Sequence, residues 1–179
     1  MKHFTPRFLL PIAILFLFTP HSLSYYEDTQ SLIFKICTHT YNFGLCSNIF
    51  NRYLRSPTTD IIGLAEIAII QTLKNASNTR THILEAIRTE KRKKVRNGYR
   101  ICESLYRSFV DEYKDADLDF KRGDYTSMLI HVGKCFGFVN GSSSVLRSLG
   151  RPAAQLLAQN AKNRVLVQMS LFCGYYITN

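Results

Sequence analysis

The chain has 179 residues, 23 Lys and Arg against 13 Asp and Glu, and a formal net charge of +10. With 46% apolar residues it is not a disordered chain, and its length suits one domain with little room for a second. Five prolines and nine glycines exclude a collagen-like or linker-dominated polymer.

Residues 1–24 read as a secretory signal peptide. Lys2, His3 and Arg7 form a basic start, Phe8 to Phe18 is apolar apart from Pro11, and Ser22-Leu23-Ser24 offers small residues for cleavage after Ser24. A membrane anchor needs ~20 apolar residues, more than this run supplies, so no anchor is expected. Removing the 24 leaves a mature chain of 155 residues with 21 basic and 13 acidic side chains. Its end, Tyr175–Asn179, carries no retrieval tetrapeptide, so the expected location is extracellular. Asn75-Ala76-Ser77 and Asn140-Gly141-Ser142 are glycosylation sequons in that pathway.

Helical periodicity dominates the mature chain, and no segment alternates as a strand does. Residues 25–57 hold two short amphipathic helices around Tyr41-Asn42-Phe43-Gly44, with Ile33, Ile36 and Cys37 in the first and Leu45, Ile49, Tyr53 and Leu54 in the second. Ser56-Pro57 ends this hairpin. Thr58-Thr59-Asp60 then caps a long helix carrying Ile61, Leu64, Ala65, Ala68, Leu73, Ala76, Ile83 and Ile87. The predicted stop is Asn97-Gly98, behind a cationic end formed by Lys91, Arg92, Lys93, Lys94 and Arg96.

A third stretch runs from Tyr99 to about Lys121, with Cys102, Leu105, Tyr106, Phe109, Tyr113, Ala116 and Phe120 on one stripe. Gly123 breaks it, and Asp124 or Thr126 caps a shorter helix through Met128, Val132, Cys135 and Val139. Asn140 to Ser144 reads as a loop. The last helix runs from Pro152 to near Ile177, with Leu156, Leu157, Ala161, Val165, Val167, Met169, Leu171, Phe172 and Tyr176. Four helices with short connections over 58–179 predict an all-α, up-and-down four-helix bundle with an N-terminal helical hairpin.

In an oxidising compartment Cys37, Cys46, Cys102, Cys135 and Cys173 are disulfide candidates before they are metal ligands. Their spacing matches no common zinc set, so no metal is expected. Two bridges among five cysteines allow 15 frameworks; proximity favours Cys37–Cys46, and one thiol is left over.

His131 and Cys135 share a helix face in the manner of a nucleophilic pair, but a disulfide cysteine beside a solvent-facing histidine is the simpler reading. Asp111/Asp115 and Asp115/Asp119 are i,i+4 carboxylates that read as a solvated face rather than a glycosidase pair. No sequence motif argues for catalysis or for a bound cofactor. Tyr106, Phe109, Tyr113 and Phe120 are core by their spacing. The basic run Lys91, Arg92, Lys93, Lys94 would suggest nucleic acid in a cytosolic protein. On a secreted chain it suggests an acidic extracellular polysaccharide instead, and no nucleic acid is expected.

These residues together resemble the plant invertase and pectin methylesterase inhibitor family. The resemblance rests on Ile33…Cys37…Cys46, Asp60-Ile61-Ile62-Gly63-Leu64-Ala65, Cys102-Glu103-Ser104-Leu105-Tyr106, Gly123-Asp124-Tyr125 and Cys135, in that order, over about residues 31–177. It implies bridges Cys37–Cys46 and Cys102–Cys135, with Cys173 a free thiol. It also implies a secreted inhibitor of the apoplast and cell wall that covers the cleft of a carbohydrate-active enzyme, in surroundings where Lys91–Lys94 would meet acidic pectin. Polar faces of the later helices would make the contact, with Asp111, Asp115, Lys121, Arg122, Asp124 and Tyr125 as candidates.

Two departures from the pattern are visible. Tyr125 to Cys135 is only ten residues, about two helical turns fewer than usual in the family. Gly123-Asp124-Tyr125 also stands where invertase-type members carry Pro-Lys-Phe. The absent plug favours pectin methylesterase as target, with acid invertase (β-fructofuranosidase) the alternative. A bundle of the same fold that no longer inhibits is a further one. Acid-dependent binding would give His39, His82 and His131 a modulating role.

Overall fold

Four short polar side chains open helices in this protein. Asp28, Asn42, Asp60 and Asp124 accept hydrogen bonds from the backbone N–H groups of Ser31, Leu45, Gly63 and Ser127, three residues on in each case. The computed structural model describes residues 28–179, so the expected signal peptide lies outside the described residues. Six helices follow: α1 Thr29–Thr38, α2 Phe43–Tyr53, α3 Ile61–Thr89, α4 Lys93–Arg122, α5 Tyr125–Leu149 and, after a 3-10 turn at Arg151–Ala153, α6 Ala154–Thr178. No strand occurs among the described residues.

The buried positions explain why the long helices assemble. On α4 they are Tyr99, Cys102, Tyr106, Phe109, Tyr113 and Ala116; on α5, Met128, Val132, Cys135, Val139, Ser142 and Leu146. Both sets alternate between spacings of three and four. The same rhythm places Thr72, Ala76, Thr79 and Ile83 on α3, and Leu156, Asn160, Asn163 and Val167 on α6. A stripe with this period keeps facing its neighbours along the whole helix, which is the packing of a four-helix bundle. α3 lies against α4 and α6, and α5 against α4 and α6, closing an up-and-down square.

The α1–α2 hairpin is stapled by Cys37–Cys46, as expected, and caps one end of the bundle. Closing that short loop contributes ~2.5 kcal/mol on the loop-entropy account. Ile33, Ile36 and Phe50 pack with Leu64, Ala65 and Ala68 of α3 and with Leu166 and Met169 of α6. Gln168 Oε1 accepts from the Tyr41 N–H at 2.9 Å, and the Arg164 guanidinium lies 4.3 Å from the Tyr41 ring centre. With the bundle on one side and the hairpin on the other, α6 is buried all round from Val165 to Ser170.

The middle of the bundle is polar. The Asn163 amide donates to Thr79 Oγ1 and to the Tyr106 hydroxyl, both at 3.0 Å, and its carbonyl oxygen accepts from Asn75 at 2.8 Å. Tyr106 donates to Asn160 Oδ1 at 2.7 Å, and the Asn160 amide reaches Ser143 Oγ at 2.6 Å and the Val139 carbonyl at 3.1 Å. All four bundle helices contribute. Toward the hairpin end, the fully buried Tyr113 hydroxyl lies beside the Thr72–Ser170 pair without a well-aligned hydrogen bond of its own.

Three sequence expectations are corrected. First, α3 stops at Thr89 and α4 begins at Lys93, so Lys91–Lys94 occupy the turn and the start of a helix rather than the end of one. Cations at that position oppose the helix dipole by about 0.3–1 kcal/mol each when exposed, and no side chain caps α4. Burial of Tyr99 and close packing at Gly98 outweigh both: a Cβ on Gly98 would stand 2.6 Å from the Leu149 side chain. The Asn97-Gly98 turn signal is therefore overridden by a close helix crossing in which the Leu149 side chain fills the space over Gly98. Second, Asn140–Ser144 is not a loop. The α5 stripe continues through buried Ser142 and Ser143, and the helix is 25 residues long.

Third, Cys102 and Cys135 do not form a bridge; together with Cys173 they are free, buried thiols. The reason is register. Across the α4–α5 seam Gly98 meets Leu149, Leu105 meets Gly141 and the Cys135 thiol faces the Phe109 carbonyl. Cys102 is thus level with the region of Ser144, nine residues or ~14 Å along α5 from Cys135. A disulfide tolerates no more than ~7 Å between Cα atoms. The ten-residue spacing from Tyr125 to Cys135 leaves the helix at full length and moves the cysteine.

Two outcomes check this account. Titration with a thiol reagent should find no reactive group in the native protein and three in denaturant; one in denaturant would mean a Cys102–Cys135 bridge. Asn163→Ala should lower the unfolding free energy by ~3 kcal/mol in a urea titration, because it strands Asn75, Thr79 and Tyr106. Ser144→Ala, on the exposed side of α5, should stay within ~0.5 kcal/mol.

Candidate functional site

α4 ends by design at Gly123. Its φ of +76° is a left-handed value that glycine adopts at no steric cost, and the Gly123 and Asp124 N–H groups donate to the Phe120 and Asp119 carbonyls. The chain then reverses straight into α5. This turn gathers Lys121, Arg122, Asp124 and Tyr125 at the end of the α4–α5 pair that also carries the hairpin, while Asp115 and Asp111 stand roughly two and three turns back along α4.

Asp111 and Asp115 are exposed on α4, with Asp111 3.0 Å from Lys114. Lys121 pairs with Asp117 at 2.6 Å and Arg122 with Asp119 at 3.7 Å. Asp124 is the α5 cap, and hydrogen bonding from Ser127 holds its carboxyl below the ordinary aspartate value. The Tyr125 ring is half-buried against Phe120, 5.8 Å between centres. Asp111 and Asp115 therefore stand on the outer surface of α4, and the solvated-face reading of the acidic run fits their exposure.

A cluster that the sequence reading missed ties the two helices together. Glu112 accepts from His131 Nδ1 at 2.6 Å and from Lys134 at 3.1 Å, while His131 Nε2 lies 3.5 Å from Asp119. Burial raises the Glu112 pKa, but the bonds from His131 and Lys134 outweigh it and leave the carboxyl below its ordinary value. His131 is thus turned to carboxylates on α4. The Cys135 thiol instead donates to the His131 and Phe109 carbonyls, and burial pushes its pKa up, away from thiolate chemistry. Cys102 is likewise pushed up to about 12 by burial.

The other missed ion cluster joins α3 to α4. Glu103 is nearly buried and accepts from Arg80 at 2.9 Å and from Arg107 at 2.6 Å. Burial alone raises its pKa; the two guanidiniums reverse that and hold it low. A carboxylate inside an otherwise apolar heptad, with arginines one turn away on its own helix and on a neighbour, was the available signal.

Among the sequons, Asn75 uses its amide nitrogen, the atom a glycan would take, to reach Asn163. Asn140 is half-buried within α5. Among the described residues no group of three His, Cys, Asp or Glu is placed to hold a metal ion, and no helix is long and apolar enough to cross a membrane.

The helical-bundle architecture has counterparts among solved structures. A mutant form of a pectin methylesterase inhibitor from Arabidopsis superposes with a TM-score of 0.72 at 18% identity, covering 78% of this chain and 93% of that one. A pectin methylesterase inhibitor from Arabidopsis thaliana gives 0.63 at 19% identity, covering 81% and 95%. At those identities the likeness concerns the fold.

Residues 31–133 match the family model described as plant invertase/pectin methylesterase inhibitor, and the chain belongs to that family. A pectinesterase inhibitor from Actinidia deliciosa is 28% identical over 105 residues, 59% of this chain and 57% of that protein. The match thus spans a little over half the length of that curated relative. The family match ends two residues before Cys135.

The Glu103 cluster gives a pH prediction. A carboxyl held low in the folded state stabilises the protein above its unfolded pKa of ~4.3, and that contribution is lost as the pH falls through the folded value. Glu103→Gln should cost about 1–3 kcal/mol at pH 7 in urea unfolding. The gap from wild type should shrink steadily below pH ~4.

Proposed function

We propose that the protein is a secreted inhibitor of pectin methylesterase that acts by occluding the enzyme's substrate cleft, with no chemistry of its own. Membership of the inhibitor family over residues 31–133 carries this reading. The relative from Actinidia deliciosa, itself a pectinesterase inhibitor, supports pectin methylesterase as the target. The absence of Pro-Lys-Phe at Gly123-Asp124-Tyr125 points the same way. The family description also names invertase, which is the second reading.

The α4–α5 surface supplies what such a contact needs. Exposed Leu118 and Ile130 provide apolar area, and Asp111, Asp115, Lys121, Arg122 and Lys134 provide charge of both signs around it. The ion pairs within α4 and the Glu112 cluster hold those side chains before any partner arrives, which lowers the ordering cost of binding. Asp124 and Tyr125 are proposed to act through the turn they build, and Asp111 and Asp115 through direct contact.

The purified protein should inhibit pectin methylesterase in a saturable titration and leave acid invertase unaffected in a parallel one. Asp111→Lys/Asp115→Lys should weaken inhibition at least tenfold, ~1.4 kcal/mol of binding energy, while the melting temperature stays within a few degrees. Inhibition of invertase alone would transfer the target, and inhibition of neither enzyme would end the proposal.

A further inference from the structure

At the end of the bundle away from the hairpin, the fold gathers positive charge that the sequence leaves scattered. Seven cations lie between Arg88 and Arg100, around the α3–α4 turn, and the α5–α6 turn adds Arg147 and Arg151. The two turns are joined directly: the Tyr99 hydroxyl donates to the Pro152 carbonyl at 2.8 Å. Among the described residues only Glu85 and Glu90 lie nearby, and they are paired with Arg88 and Arg92. Residues 125–179 contain no Asp or Glu at all, so α5 and α6 bring nothing to neutralise this end. Lys91, Lys93, Lys94, Arg147 and Arg151 are exposed, with no carboxylate paired to them among the described residues.

This charge works against the fold. Lys93, Lys94 and Arg96 sit in the first turn of α4, where the helix dipole disfavours cations, and neither α4 nor α6 has a side-chain cap at this end. The Arg96 Nε is out of solvent without an acceptor. A groove runs between the turns, lined by Thr89, Glu90, Lys91, Arg92 and Pro152, and continues past His82 and Gln155 along α3 and α6. Lys91 and Arg92 line it together with the carboxylates of Glu85 and Glu90, and its remaining polar groups are hydroxyl, amide and imidazole; the exposed Lys93, Lys94, Arg147 and Arg151 belong to the turns beside it. Tyr99 in its wall is buried and presents no ring face for stacking a nucleic-acid base.

We propose that this groove end binds polyuronate, a linear polysaccharide whose sugars carry free carboxylates. The inference rests on the reading of the protein as a pectin methylesterase inhibitor, because hydrolysis of a pectin methyl ester uncovers one carboxylate per sugar. The polymer would therefore be the product of the enzyme that the inhibitor controls. Binding it retains the inhibitor where esterase has already worked. Lys93 and Asp111 are ~27 Å apart along α4, so polymer and enzyme can be held at once.

The test measures binding of the purified protein to immobilised polygalacturonate and to the same polymer fully methyl-esterified, across a salt series. Binding should favour the de-esterified polymer and weaken steeply with salt. Lys91→Ser/Lys93→Ser/Lys94→Ser/Arg147→Ser/Arg151→Ser should weaken it at least tenfold, and Arg147→Ser/Arg151→Ser alone at least threefold. Esterase inhibition by both variants should be unchanged, which also reports that they are folded. Equal binding to the esterified polymer, or tighter binding to single-stranded DNA than to polygalacturonate at equal charge, would overturn the proposal. So would an equal loss in Arg55→Ser/Lys74→Ser/Lys162→Ser, which lowers net charge elsewhere. Failure to inhibit any esterase, with polymer binding intact, would sink the inhibitor reading and leave the site.

Discussion

Asn160 and Asn163 set the arrangement on which the rest of the molecule depends. Two amides one turn apart on α6 take partners from α3, α4 and α5, and each hydrogen bond exists only when the four helices share one register. Apolar residues at the same positions would bury equally well in several registers, since hydrophobic contact has no direction. A slip of one turn here would leave two amides, a threonine and a tyrosine hydroxyl without partners in a dry interior. Each such loss costs about 1–3 kcal/mol, a large share of a small domain's stability.

That register decides features far from the network. It places Gly98 under Leu149 and Gly141 beside Leu105, and so allows α4 and α5 to approach closely along their length. It puts Cys135 level with Phe109 rather than Cys102, which is why the hairpin carries the disulfide and the bundle carries thiols. It also presents Leu166, Gln168 and Met169 of α6 to the hairpin, where the Gln168 side-chain oxygen accepts from the Tyr41 N–H. The hairpin is thereby fixed to the bundle by direction as well as by apolar area.

The antiparallel path has an electrostatic consequence. Most carboxylates of α4 fall in its second half, beside the Gly123 turn, while the cations of residues 88–100 fall at the opposite end with Arg147 and Arg151. One end of the molecule displays charges of both signs locked in pairs, and the other displays unpaired positive charge. The two ends therefore differ in electrostatic character, one with charges compensated in place and the other with a net positive field.

Much of this was legible in the residues alone. The α4 stripe from Cys102 to Phe120, the caps at Asp60 and Asp124, the stop at Gly123 and the Cys37–Cys46 pair all rest on interactions within a few residues, which spacing reveals. The order of the family motifs identified the bundle and its kin. What spacing could not reveal was any outcome decided between helices. Asn97-Gly98 and Asn140–Ser144 are local turn signals, and each is overruled because small residues let neighbouring helices close over them. The partner of Cys102 depends on which turn of α5 stands opposite, and the basic end depends on Tyr99 and Pro152, 53 residues apart, meeting. The sequence by itself determined the helices, their apolar faces and the family. The tertiary structure decided their lengths, their register and which charges stand together, because those follow from contacts across the bundle, and a one-dimensional pattern carries no information about contact until the helices are packed.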